Sequence, residues 1–195
     1  MMPIDVTREH RRDGARARIW AWRLAVAGIA VLTAVGAAAA AEQPAGVPVD
    51  QHGMRVMAVL LQPVEMEPAM ADQDPAKSDI HLEADIHALQ NNPNGFAEDA
   101  WIPYLAVTYK LTKQGSAWRA SGVLYPMVAN DGPHYGANVK LDGPGAYKLL
   151  LQISPPSTHG FMRHIDKETG VGPWWTPFQY TGGFKFIGTG KKGGY

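Results

Sequence analysis

The stretch Asp79-Ile80-His81-Leu82-Glu83-Ala84-Asp85-Ile86-His87-Ala88 alternates strictly between apolar and polar residues. Ile80, Leu82, Ala84 and Ile86 share one parity, and His81, Glu83, Asp85 and His87 share the other. Successive Cβ atoms of a strand point to opposite faces, so period two predicts a β-strand over 79–88. A helix would scatter both sets. Outward from this stretch the same grammar repeats. Residues 54–62 form an apolar run ended by Pro63, and 104–111, 117–128 and 146–153 are rich in β-branched, aromatic and Leu residues, with a last short strand at 184–187. Turn signals separate them: Asn91-Asn92-Pro93-Asn94-Gly95, Lys113-Gln114-Gly115, Asn130-Asp131-Gly132-Pro133, Asp142-Gly143-Pro144-Gly145 and Pro155-Pro156. About seven short strands punctuated in this way predict an all-β chain, an immunoglobulin-like antiparallel β-sandwich.

The first 41 residues are of another kind. Arg8, Arg11, Arg12, Arg16, Arg18 and Arg23 precede an apolar stretch from Leu24 to Val35, and small residues run from Gly36 to Ala41. A basic segment, a short apolar core and an Ala-x-Ala exit are the parts of a secretory signal peptide, with cleavage expected after Ala41. The apolar core is short of the roughly 20 residues a membrane span needs. Residues 42–195 are then one exported domain, with a short flexible tail at 188–195.

Composition narrows the chemistry. The 195 residues hold 18 Lys+Arg and 18 Asp+Glu, so the basic field of a nucleic-acid binder is missing. With residues 1–41 removed, the remainder carries a net charge of −3. There is no Cys, which excludes disulfides, thiolate nucleophiles and every zinc, iron–sulfur or blue-copper site that needs a thiolate. An exported chain without disulfides must take its stability from its core. No Gly-x-Ser-x-Gly nucleophile motif is present either, and the expectation is a binding protein, not an enzyme.

The polar face of 79–88 is the first candidate site. Adjacent members of the row stand about 6–7 Å apart, so His81 and Glu83 can approach one ion, whereas His81 and His87, about 20 Å apart, cannot. The row also admits a plainer reading as a solvated strand face. His134 lies in the turn-rich segment Asn130–Gly136, read here as a loop that aims it, with Met127 seven residues earlier at the end of a strand. His164 lies in Gly160–Gly170. Imidazole with thioether suits copper, and imidazole with carboxylate suits Fe(II), Mn(II) or Zn(II).

Four segments in order resemble one family. They are Asp79–His87; Trp101-Ile102-Pro103-Tyr104-Leu105; Gly122-Val123-Leu124-Tyr125-Pro126-Met127 with His134 seven residues on; and Arg163-His164-Ile165-Asp166-Lys167-Glu168-Thr169-Gly170-Val171 followed by Trp174-Trp175. Together they are similar to the periplasmic high-affinity iron (Fe2+) transport proteins, which include the bacterial 34 kDa membrane antigen. The resemblance implies an immunoglobulin-like homodimer in the periplasm. It implies a copper site drawn from His81, Met127, His134 and His164, with Glu83 beside it as the place where iron (Fe2+) or manganese is held. It also implies work alongside an inner-membrane iron permease of the FTR type, with no nucleic-acid partner and no membrane span once the signal is removed. The competing reading is a periplasmic copper chaperone or copper-resistance protein, for which Met54, Met57, Met66 and Met70 speak.

Overall fold

The computed structural model describes residues 42–189. The expected signal peptide, 1–41, and the end of the expected tail, 190–195, lie outside the described residues. Within them the chain is all-β. The strands are β1 (Gln43–Pro44), β2 (Val49–Gln51), β3 (Met54–Leu61), β4 (Ile80–Ala88), β5 (Ala106–Lys113), β6 (Arg119–Ala129), β7 (Gly132–Val139), β8 (Gly145–Ser154) and β9 (Phe178–Phe186). The only helical pieces among the described residues are 3-10 turns at Ala71–Gln73, Pro75–Lys77 and Pro156–His159. Among the described residues no helix is long and apolar enough to cross a membrane.

All pairings are antiparallel, in the order β1-β3-β4-β7-β6-β5-β8-β9, with β2 also on β3. The eleven-residue β6 divides its partners: Arg119–Leu124 pair with β5, and Tyr125–Ala129 pair with β7. One strand thus belongs to both halves of the sheet and turns it back on itself. At the far side Gly183 N–H donates to Ala45 C=O at 2.8 Å, so the sheet nearly closes. Closure of this kind leaves few strand edges open to unwanted pairing.

The core confirms the parity read from the sequence. Ile80, Leu82, Ala84 and Ile86 are all fully buried, against Met54, Val56, Ala58 and Leu60 of β3 and Tyr135 and Ala137 of β7. Tyr135 is a core anchor. Its hydroxyl donates to Ile102 C=O at 2.8 Å and accepts from Leu105 N–H at 2.9 Å, which satisfies the phenol and pins the 102–105 loop to β7. Burial pushes that phenol well above its ordinary pKa.

Two readings of the sequence need correction. The segment 130–136, read as a loop, belongs from Gly132 onward to the central strand β7, clasped by β4 on one side and β6 on the other. The turn itself was read correctly: Ala129 pairs with Gly132, leaving Asn130-Asp131 as a two-residue hairpin loop. Pro133 and Gly136 are poor strand formers; Pro133 is paired on one edge only, by Val128, whereas Gly136 is held on both, by Glu83 and Tyr125. The last strand is also longer than read, because Gly182 and Gly183 interrupt the apolar pattern of Phe178–Phe186.

Candidate metal centre

The polar parity of β4 is not a solvated face at its first two positions. His81 is fully buried and Glu83 is 6 % exposed. The cross-strand register places them beside polar neighbours. His81 pairs with Asn138, Glu83 pairs with Gly136, Gly136 pairs in turn with Tyr125, and His134 pairs with Met127. His81, Glu83, Met127 and His134 therefore come from three adjacent strands, fixed by rigid backbone hydrogen bonding.

Glu83 Oε1 stands 3.5 Å from His81 Nε2 and 3.3 Å from His134 Nε2. Ligand atoms of the three residues all lie within 4.8 Å of one another. The two imidazoles meet edge to face, with ring centroids 6.0 Å apart. Both Nε2 atoms are buried and neither makes a hydrogen bond. Unpartnered buried polar atoms are costly, so two of them aimed at one carboxylate call for a ligand. Gly136 makes the room. A Cβ there would sit 2.5 Å from His81 Nε2 and 3.1 Å from Met127 Sδ, so a side chain would fill the hollow into which nitrogen and sulfur project.

The charge state also suits a cation. Burial lowers the His81 pKa to about 4, with His134 adding to the fall and the hydrogen bond that the ring donates to Asn138 opposing it, so the ring stays neutral with a free lone pair. Burial first, then the charges of Asp85, Glu42 and Asp131, raise the Glu83 pKa to about 8. Asp85 and Glu42 are raised as well, burial again leading. Glu83 holds a proton that a bound cation would displace. The group lines a cavity of about 700 Å3, walled also by Met66, Met70 and Pro68, and Glu83 and His134 continue into a smaller one of about 190 Å3 with Glu42, Asp85, His87 and Asp131.

His164 is not part of this group. It lies exposed on the 160–172 loop, where its Nδ1 is 2.7 Å from Thr169 Oγ1. That hydroxyl donates onward to Asp166 Oδ2 at 2.7 Å, so it accepts from His164 Nδ1–H and leaves Nε2 free. Asp166 also caps the turn by accepting from Glu168 N–H and Thr169 N–H. The Nδ1 atoms of His87 and His159 contact backbone carbonyls, of Asp99 and Tyr104. Sequence reading missed Asn138 and Gly136, whose parity with His134 is visible only once 132–139 is known to be a strand.

The model of a family described as Fe2+ transport protein matches residues 39–188. This chain belongs to that family. A UPF0423 protein of Brucella abortus is 55 % identical over 161 residues, spanning 81 % of this chain and 88 % of the relative. The 34 kDa membrane antigen of Treponema pallidum is 44 % identical over 148 residues, 73 % of this chain and 72 % of the antigen. A copper-bound glutamate-to-glutamine variant of FetP from uropathogenic Escherichia coli shares the fold with a TM-score of 0.74 and 50 % identity, over 76 % of this chain and 99 % of that one. The copper-reconstituted P19 protein of Campylobacter jejuni gives a TM-score of 0.75 at 50 % identity, over 77 % and 99 %. A third structure is FetP expressed recombinantly in the periplasm of Escherichia coli, 51 % identical with a TM-score of 0.73, over 76 % and 97 %.

The donor set of this Fe2+ transport family member fits a transition ion. Two imidazoles and a thioether match copper in either oxidation state, and the carboxylate beside them matches harder divalent ions. His81, Met127 and His134 would hold copper, and Glu83 would neutralise its charge.

Proposed function

We propose that this Fe2+ transport family member is a periplasmic metal-binding protein that supports high-affinity ferrous iron uptake alongside an inner-membrane iron permease. Copper sits on His81, Met127 and His134, with iron or manganese held at or next to it by Glu83. The observation that carries this reading is the pair of buried, unbonded Nε2 atoms within 3.5 Å of one carboxylate oxygen. The protein is a transport component, not an enzyme.

The fourth copper ligand is His164 of a second copy. In the chain it lies between Met162 and Ile165, which are 88 % and 78 % exposed. Large apolar side chains so exposed on both flanks of a ligand-type imidazole are what a homodimer would cover. The strand arrangement, two strand sets joined through β6, is read as the immunoglobulin-like sandwich of the family. Residues 1–41 are the signal that exports the chain.

A copper chaperone or copper-resistance role is the second reading, and Met66 and Met70 on the wall of the same cavity favour it. Metal analysis of protein purified from its native periplasm, repeated on His134→Ala, tests the site. Stoichiometric metal in the parent and its loss in the variant are expected; a metal-free parent would sink the proposal. Induction by iron starvation, as opposed to copper stress, separates the two readings.

A further inference from the structure

Asn138 carries four hydrogen bonds through one side chain. Its Oδ1 accepts from Val64 N–H at 3.1 Å and lies 2.9 Å from His81 Nδ1. Its Nδ2 donates to Val64 C=O at 2.8 Å and to Gln73 C=O at 2.7 Å. Its backbone N–H donates to Gln73 Oε1 at 2.8 Å. Chemistry fixes the amide's orientation, because only the NH2 end can donate to two carbonyls. The end facing His81 is therefore an acceptor, and His81 Nδ1 must carry the hydrogen. The lone pair is left on Nε2, the atom that faces Glu83. The residue is 3 % exposed, and its bonds to His81 and Gln73 are buried.

We infer that Asn138 is the positioning residue of the centre: its carboxamide locks His81 as the Nδ1–H tautomer and ties that ring to the 62–77 segment that walls the cavity. Val64 and Gln73 lie at the two ends of that segment, so one side chain sets both the direction of a ligand lone pair and the place of the wall. An imidazole free to turn over or to exchange tautomers would present N–H to the ion half the time or more. Partners behind a ligating histidine set ligand affinity in this way, typically by 10–100-fold. The affinity part of the inference rests on the metal-binding reading above; the tautomer and the wall do not.

Long-range 15N–1H NMR on the metal-free wild-type protein near neutral pH reads the His81 tautomer directly. Nδ1–H is expected, and Nε2–H overturns the inference whatever the protein binds. Two variants divide the roles. Asn138→Asp keeps an acceptor toward His81 but cannot donate to Val64 and Gln73. Copper affinity within a few-fold of wild type, with faster amide hydrogen exchange across 64–77, is expected. Asn138→Leu removes the acceptor, and a loss of about 10–100-fold in copper affinity is expected. Equal affinities of wild type and a folded Asn138→Leu, or unchanged exchange across 64–77 in both variants, overturn it. If wild type binds no copper, the metal reading fails, and the NMR result still decides the tautomer.

Discussion

Glu83 Oε1 lies between two imidazoles, 3.3 Å from His134 Nε2 and 3.5 Å from His81 Nε2, and bonds to neither. A buried acid with a pKa raised to about 8 is protonated at neutral pH and must give up that proton to bind a divalent ion. Below pH 8 the affinity for Mn(II) should therefore rise about tenfold per pH unit and level off above it. Competition titrations between pH 6 and 9 check this, and Glu83→Gln should remove the slope. His81, with its pKa lowered to about 4, adds no proton competition until the solution is far more acidic.

The same two groups set the stability of the metal-free protein. A carboxyl whose folded pKa is raised from 4.5 to about 8 keeps a proton that the unfolded chain has lost, so its contribution falls as pH rises across that window. A histidine lowered from 6.5 to about 4 acts oppositely, stabilising as pH rises from 4 to 6.5. The two slopes oppose each other between about 4.5 and 6.5, leaving Glu83 alone above. Thermal unfolding without metal should give a lower Tm at pH 8 than at 6.5 for wild type, and no such fall for Glu83→Gln. Identical profiles would show that Glu83 is not held protonated.

Gly136 is small because of what leans over it, not because of its backbone. Gly136→Ala puts a Cβ 2.5 Å from His81 Nε2 and 3.1 Å from Met127 Sδ, within contacts that must shift. A loss of about 1–3 kcal/mol in stability is expected for such overpacking. Copper affinity should fall while the all-β circular dichroism spectrum is kept; wild-type affinity in this variant would remove Met127 and His81 from a shared ion.

Met127 faces His134 across the β6–β7 pair. A thioether is a soft ligand, so Met127→Leu, close in volume, should weaken Cu(I) far more than Zn(II). Parallel Cu(I) and Zn(II) competition assays check the difference, and equal losses would show Met127 to be packing.

His164 reaches the ion through a second copy or not at all. His164→Ala and Thr169→Val should both lower copper affinity, the second by freeing the ring from the Thr169–Asp166 relay. Dilution of wild type below its dimer dissociation constant should lower affinity in the same way. Affinity independent of both concentration and His164 would confine the site to one chain.

Much of this was legible in the residues. The parity of 79–88 set β4 and picked out its core face, because successive side chains of a strand alternate, although burial extends to His81 and Glu83 on the other face as well. The four ordered segments named the family, and the Fe2+ transport model matches 39–188. Composition alone excluded thiolate chemistry, since there is no Cys. What only the tertiary structure decided is which polar residues are buried together. Residues 132–136 have the composition of a loop, and become part of a strand because β6 pairs with 132–136 on one edge and β4 with 135–139 on the other. That pairing sets His134 beside Met127, and Asn138 beside His81. It also puts Gly136 in the hollow between Glu83 and Tyr125. No local pattern encodes these neighbours, because cross-strand register is a property of strands far apart in the chain, fixed when hydrogen-bond ladders and the buried face agree.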